Sequence, residues 1–257
     1  MLRNTQGLVL HTTKYAESSI IAKIFTRELG LRSYIVKGIR SASGRNKQNL
    51  LQPLSHLDMT VYDNPKKQLQ YIKEMHPATY HNMASDSVKM ALVFFMDEVL
   101  YKSLREEEPN PQLFDYVVEQ LDELAPQADK APAMTPPQRH STLPIRFLLH
   151  TSRYLGIEPL DNYSIHEPLF NLKEGRFQAP PSAYAAATNP NIHYFLDAHA
   201  SSTLHYCLAG VHGHDNMPIL TAPQRKNTLT NLMDYYQVHL TDFKRFQSHE
   251  VLHALLG

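Results

Sequence analysis

The segment SSIIAKIFTRELGLRSYIVKGIR, residues 18–40, decides the fold of the first part of the chain. Residues 18–27 and 31–40 both alternate apolar and polar side chains, a period of two that is typical of half-buried strands. Between them, Glu28-Leu29-Gly30 predicts a turn, because glycine adopts positive φ without steric cost. The segment therefore predicts a β-hairpin.

Further strand patterns surround this hairpin. Residues 7–12 form a β-rich run before it, and Leu57, Met59 and Val61 alternate after it. The turn sequence Asp63-Asn64-Pro65 then precedes a fifth strand over residues 68–74. Five short strands in about 75 residues fit a small barrel, of which the OB-fold and the SH3-like barrel are two kinds. Composition does not choose between them.

The charge of the chain is strongly divided. Residues 1–80 contain 12 Lys and Arg against 5 Asp and Glu, a net charge of +7, and residues 81–257 contain 13 against 20, a net charge of −7. Such asymmetry indicates a polyanionic partner for the basic part. A nucleic-acid-binding module at the N-terminus is therefore the first hypothesis.

The basic residues concentrate around one predicted loop, residues 41–49. It carries Arg45 and Lys47 and follows Lys37 and Arg40, and no carboxylate occurs from Arg32 to Asn49. A solvated, mobile hairpin tip would have the same composition, but the clustering of cations favours a role in binding.

Aromatic residues lie near these cations in the sequence. Tyr15 and Tyr34 are candidates for stacking on bases beside a cationic groove, as OB-type folds do with single strands. Phe25 is equally compatible with a place in the core. Lys14 and Arg32 flank this group.

Beyond residue 80, apolar residues recur at steps of three and four, which is typical of amphipathic helices. Ser85 or Asp86 can cap the first helix, and Asn110-Pro111 can start the second. Residues 126–142, with four prolines, predict a surface excursion, and residues 159–190, with five, predict irregular structure. The predicted helices cover residues 88–100, 113–124, 143–155 (ending at Gly156), 193–209, 223–239 and 248–256.

Several functional classes lack their sequence signals. The chain has no phosphate-binding loop, dinucleotide loop or nucleophile elbow, and its single cysteine, Cys207, excludes an internal disulfide. We expect a cytoplasmic protein, since neither a signal peptide nor a membrane-spanning run is apparent. The His205–Asp215 segment is rich in histidine, but its spacing matches metal motifs poorly.

The order of several motifs resembles the bacterial recombination mediator family RecO, over nearly the whole chain. These motifs are GLVL (7–10), YAESSI (15–20), LG (29–30), KGIR (37–40), residues 94–100, RF (146–147), LG (155–156), LMDYY (232–236) and SHEVL (248–252).

The resemblance implies a multidomain β + α protein, with a five-stranded OB-fold barrel in residues 1–80 and an all-α-helical domain in residues 81–257. It implies no enzymatic active site and no cofactor. RecO-like proteins bind single- and double-stranded DNA, anneal complementary strands, contact the C-terminal tail of single-stranded DNA-binding protein (SSB), and with RecR help to load RecA, in a cytoplasmic, nucleoid-associated setting.

Carried over to this sequence, the resemblance implies two sites. The SSB tail would meet Arg146, with Arg153 as a neighbour, and the DNA face would comprise Lys14, Arg32, Lys37, Arg40, Arg45 and Lys47 beside Tyr15 and Tyr34. Many family members carry a four-cysteine zinc element after the Leu-Gly helix, but residues 161–181 contain no cysteine. We therefore expect no zinc, and a hairpin over Phe170–Phe177 held by apolar residues instead.

Two other functions stay open at this point. One is a metal-dependent hydrolase that uses the His205–Asp215 cluster. The other is a protein-interaction adaptor whose barrel contacts RNA or no nucleic acid.

Overall fold

The structure is a computed structural model that describes residues 1–39, 44–79, 86–105, 108–125, 136–182, 191–213, 217–241, 243 and 248. Of residues 44–46 and 136–139 it describes the backbone alone. The chain divides into two compact units, Met1–Lys130 and Ala131–Gly257. The predicted boundary of an independent barrel domain at residue 80 stays a prediction.

The first unit begins with a closed barrel of five strands. Its strand order is β1-β2-β3-β5-β4, and β4 pairs with β1 to close it. Only the β3–β5 pairing is parallel. This is the OB-fold, so the fold class is confirmed. The strands are β1 (Leu2–Ala16), β2 (Ser19–Thr26), β3 (Gly30–Lys37), β4 (His56–Tyr62) and β5 (Leu69–Pro77).

The predicted hairpin is β2–β3, with Thr26 opposite Gly30. Gly30 has φ of 71°, in the left-handed region that favours glycine. A Cβ at this position would lie 2.7 Å from the carbonyl oxygen of Glu108. The turn therefore needs glycine both for its backbone conformation and for space.

The barrel interior is filled by alternate residues of its strands, as the period-two pattern predicts. After β3, helix α1 (Gly44–Asn49) leads to Leu51, which is buried in this core. The prediction of a mobile loop over residues 41–49 is therefore wrong for residues 44–49. These residues form a helix, which their Arg, Lys and Gln side chains favour. The core cluster comprises Val9, Ala22, Ile24, Leu29, Tyr34, Val36, Ile39, Leu51, Leu57, Met59 and Val61.

Two helices complete the first unit, and both begin as predicted. The Asp86 side chain caps α2 (Ser87–Ser103), and Asn110 caps α3 (Pro111–Leu124), with proline in its first turn. Phe114 of α3 packs 5.6 Å from the ring of Phe25 on the outside of the barrel. The Arg27 guanidinium donates two hydrogen bonds, of 2.7 and 2.8 Å, to Asp115.

The described part of the second unit contains the helices α4 (Pro136–Tyr154), α5 (Ala198–His212) and α6 (Ala222–His239). Helix α4 begins seven residues before its predicted start at residue 143, because proline is tolerated in a first helical turn. Helix α5 begins later than predicted, after the N-cap Asp197, and Ile192–Tyr194 form a 3-10 turn. Of the predicted helix over residues 248–256, residues 249–256 lie outside the described residues.

A small hairpin accompanies these helices, as expected for Phe170–Phe177. Strands β6 (Leu169–Asn171) and β7 (Arg176–Gln178) are antiparallel, and Gly175 has φ of 67°. Phe170 and Phe177 are fully buried with ring centroids 5.0 Å apart. Among the described residues, the structure has no helix that is long and apolar enough to span a bilayer.

Candidate nucleic-acid interface

The outer surface of β2 and β3 is fixed by strand alternation. Because Ala22, Ile24, Tyr34 and Val36 point into the core, Lys23 and the residues at 33, 35 and 37 point outward. In OB-folds, the face of strands 2 and 3 is the common ligand surface.

Lys37 forms one aromatic cluster at this surface. Its ammonium nitrogen lies 5.1 Å from the ring centroid of Tyr71 on β5, within the range of a cation-π interaction. Tyr71 is 39% exposed and is paired across the strands with Tyr62, which is also exposed. A cation and two accessible rings therefore lie together at one side of the β2–β3 surface.

Lys23 forms a second cluster on the other side. Its ammonium nitrogen lies 5.8 Å from the ring centroid of Tyr101 on α2, and the ring of His11 lies 5.0 Å from the same tyrosine. We call the surface formed by His11, Lys23, Lys37, Tyr71 and Tyr101 the aromatic-basic face.

Of these five residues, the sequence pattern predicted only Lys37 as a binding residue. Alternation alone places Lys23 and Lys37 on the same side of the hairpin, and this signal was available. The two tyrosines come from a later strand and from a helix, so only the tertiary structure brings them to these lysines.

Lys14, Tyr15 and Lys37, all predicted DNA-binding residues, lie at the same end of the barrel. Lys14 is opposite Ile20 and Lys37 is opposite Ser19, beside the β1–β2 turn. Tyr15 is 55% exposed. Within the described part of the chain, no carboxylate lies within 4 Å of Lys14, Lys37 or Lys47.

The other predicted cations have different positions. Arg32 lies at the opposite end of β3 from Lys37, about 16 Å along the strand, and its Nε donates to the Leu29 carbonyl at 3.1 Å. Lys47 is exposed in the last turn of α1. Arg40 lies outside the described residues, and Arg45 is placed in α1 by its backbone only.

Tyr34 requires a correction. Its side chain is 1% exposed and belongs to the barrel core, and burial raises the pKa of its hydroxyl. A ring in the core has no face available to a base. We therefore remove Tyr34 from the candidate site.

The surface beside the pairing of β1 with β4 has a different character. Asp58 accepts a hydrogen bond from Gln6 at 3.1 Å, and Glu28 accepts one from Thr5 at 2.5 Å. Carboxylates repel phosphates, so electrostatics favours the aromatic-basic face for a nucleic acid.

The two arginines predicted to bind the SSB tail differ in accessibility. Arg146 is 4% exposed in α4, so its guanidinium offers little surface to a peptide, and its contact with the SSB tail stays a prediction. The Arg153 side chain is 66% exposed, and its Nε lies 3.9 Å from a carboxylate oxygen of Glu158. Of these two arginines, Arg153 is the one that presents its charge at the surface.

The histidine-rich segment does not converge on one point. His205 Nδ1 lies 2.7 Å from Asp161, whereas His212 Nε2 lies 3.0 Å from Glu158. Burial raises the pKa of the Cys207 thiol to about 12, which disfavours the thiolate that a metal requires. His214 and Asp215 lie outside the described residues. In the described part, no three His, Cys, Asp or Glu residues are placed to hold a metal.

The OB barrel and its aromatic-basic face are typical of proteins that hold nucleic acid strands by stacking and charge. Comparison with known families shows which family of such proteins the chain resembles. Residues 1–81 match the family model for the N-terminal part of recombination protein O, and residues 84–160 match the model for its C-terminal part.

Curated relatives extend the match over the whole chain. DNA repair protein RecO of Phocaeicola vulgatus is 30% identical over 262 residues, covering 100% of both chains. DNA repair protein RecO of Christiangramia forsetii is 28% identical over 263 residues, also covering 100% of both. The Flavobacterium psychrophilum protein of the same name is 30% identical over 253 residues, 96% of each chain. The chain therefore belongs to the RecO family of DNA repair and recombination proteins.

Proposed function

We propose that this chain is a recombination mediator that binds single- and double-stranded DNA through the aromatic-basic face. The observation that carries the proposal is the pair of lysine-tyrosine contacts on the outer surface of β2, β3 and their neighbours. Exposed rings can stack on unpaired bases, and the lysines can neutralise phosphates of either form of DNA.

The same chemistry supports annealing of complementary strands. Two single strands repel each other through their phosphates, and cations that neutralise both strands lower this repulsion. Lys14, Lys37 and Lys47, which have no carboxylate within 4 Å in the described part of the chain, supply such charge. This activity requires positioning and charge and no catalytic group, so we propose a mediator rather than an enzyme.

The protein partners form the second part of the proposal. We propose that the second unit receives the acidic C-terminal tail of SSB, with exposed Arg153 as a contact, and that with RecR the chain helps RecA to load on SSB-coated DNA. Family membership and the exposed charge of Arg153 support this assignment. Work on chromosomal DNA would associate the protein with the nucleoid.

A fluorescence annealing assay with complementary oligonucleotides across a salt series tests the proposal. The wild-type protein is expected to accelerate annealing, with an affinity that falls steeply with salt. About five phosphate contacts on a single strand give a slope of log K against log salt of roughly −3.5. Adding the SSB C-terminal peptide reports whether the tail also binds.

The matched variants are Lys14→Gln/Lys37→Gln and Lys226→Gln. The double variant is expected to lose annealing and to flatten the salt slope by about 1.4, since each cation contributes about 0.7. Lys226 is an exposed lysine of α6 in the other unit and serves as the control. Equal annealing by all three proteins would remove the barrel from the proposal.

A further inference from the structure

Tyr101 lies on helix α2 and contacts the barrel at the edge of the aromatic-basic face. Its side chain is 37% exposed, although it contacts both His11 of β1 and Lys23 of β2. His11 and Lys23 are cross-strand partners, so the two strands present them side by side to the tyrosine. Three elements of the first unit thus build one small cluster.

Cross-strand pairs connect this cluster with Tyr71 on β5. Lys23 is paired with Ser33 of β3, and Ser33 is paired in turn with Leu69 of β5, two residues before Tyr71. Strand spacing and rise place Lys23 and Tyr71 about 12 Å apart in the sheet. A strand of a few nucleotides is long enough to contact both rings.

We propose that Tyr101, Lys23 and His11 form a base-stacking subsite that makes the face selective for single-stranded DNA. One unpaired base stacks on the exposed surface of Tyr101, and Lys23 neutralises a neighbouring phosphate. This inference rests on the proposed DNA binding and deepens it by naming the preferred form of DNA.

The selectivity follows from the geometry of bases. In a duplex each base is covered above and below by its neighbours, so a side chain on the protein surface cannot stack on it without unstacking the helix. In a single strand the base faces are available, and every base offers one. Duplex DNA can use the lysines of the face but not its rings.

The test measures the affinity of the full chain for two labelled probes by fluorescence anisotropy at one salt concentration. The probes are an oligothymidine of about 15 nucleotides, near the upper site size of one OB-fold, and a blunt duplex of the same length. Tyr101→Leu keeps an apolar side chain against the barrel and removes the ring. Tyr206→Leu removes an exposed tyrosine of α5 in the other unit and is the matched control.

Tyr101→Leu is expected to weaken oligothymidine binding by about fivefold or more, the loss of one base stack, and to change duplex binding by less than about twofold. Tyr101→Phe restores the ring and is expected to restore the affinity. Lys23→Gln is expected to reduce the salt slope on the single strand by about 0.7. Photo-crosslinking with an iododeoxyuridine oligonucleotide, followed by peptide mapping, is expected to modify Tyr101 or His11.

Other results would overturn the subsite. Unchanged oligothymidine affinity in Tyr101→Leu, or an equal loss for both probes, means that Tyr101 only ties α2 to the barrel. Crosslinks confined to other peptides lead to the same conclusion. The wild-type protein distinguishes failure of the subsite from failure of the proposed function. If the wild type binds neither probe, the proposed DNA binding itself is wrong.

Discussion

Asp97 is a residue whose ionisation the fold opposes. It lies in α2, and one oxygen of its carboxyl group is buried and accepts no hydrogen bond from the described part of the chain. Burial, aided by the charge of neighbouring Glu98, raises its pKa to about 8. The folded protein therefore holds a proton on Asp97 at a pH where the unfolded chain has lost it.

This linkage predicts that stability falls as pH rises. The unfolded carboxyl titrates near pH 4 and the folded one near pH 8, so the stabilisation is complete below about pH 4 and is lost as the pH approaches about 8. The total is on the order of a few kcal/mol. Asp97→Asn keeps the shape without a titrating proton, so its thermal midpoint is expected to fall less than that of the wild type from about pH 5 to about pH 9.

Thermal melts across this pH range check the prediction, with Glu119→Gln, an exposed carboxylate on α3, as the control. The control is expected to follow the wild-type curve. Parallel curves for Asp97→Asn and the wild type would contradict the assignment.

For residues of the candidate site, the sequence predicts exposure where the position in a strand decides which side the side chain faces. Lys14 and Tyr15, near the end of a strand, proved exposed, and the cations around β3 followed from composition. Tyr34 was assigned to the site wrongly because residue type alone does not show whether a tyrosine in a strand faces the core or the solvent. Its alternation with Val36, a core residue, favoured the core.

At the scale of elements, Asn162 holds the β6–β7 hairpin to the preceding segment. Its amide oxygen accepts from the Phe177 N–H at 2.9 Å, and its amide nitrogen donates to the Phe177 carbonyl at 3.0 Å and to Glu167 at 2.9 Å. One side chain thus mimics the pairing of a neighbouring strand. Tyr163 and His205 stack beside it, with ring centroids 4.4 Å apart.

Asn162→Ala is expected to destabilise the protein by about 1–3 kcal/mol, because it leaves two backbone groups of Phe177 without these bonds. Urea denaturation measures the loss, and hydrogen exchange is expected to speed up at the amides of β6 and β7. Asn227→Ala, at an exposed position of α6, is the control. If the exchange rates of β6 and β7 stay unchanged, Asn162 does not hold the hairpin.

The starts of α2 and α3 were predicted well, since their caps Asp86 and Asn110 carry the signal, whereas the cap of α5, Asp197, was missed. The start of α4 was not predicted well, because its first turn consists of proline and polar residues that resemble a loop. Helix α1 was missed for a related reason: six polar residues have no apolar periodicity, and the helix depends on the burial of Leu51 that follows it.

Along the full chain, the net negative charge is confined to a shorter segment than the whole of residues 81–257. Residues 81–130 contain 4 Lys and Arg against 11 Asp and Glu, whereas residues 131–257 contain 9 of each. The acidic excess therefore lies in the segment that carries α2 and α3, within the compact unit of the barrel. Basic and acidic surfaces of one unit can orient an approaching polyanion toward the face of β2 and β3.

Methyl NMR of isoleucine-labelled protein during titration with an oligothymidine tests whether DNA binds at the aromatic-basic face. Ile21 and Ile35 point to the outward side of β2 and β3, where Ile35 is covered by its neighbours, whereas Ile165 and Ile219 are exposed in the other unit. We predict that the signals of Ile21 and Ile35 shift and that those of Ile165 and Ile219 do not. Shifts at Ile165 or Ile219, with Ile21 and Ile35 unchanged at saturation, would contradict the placement of DNA on the aromatic-basic face.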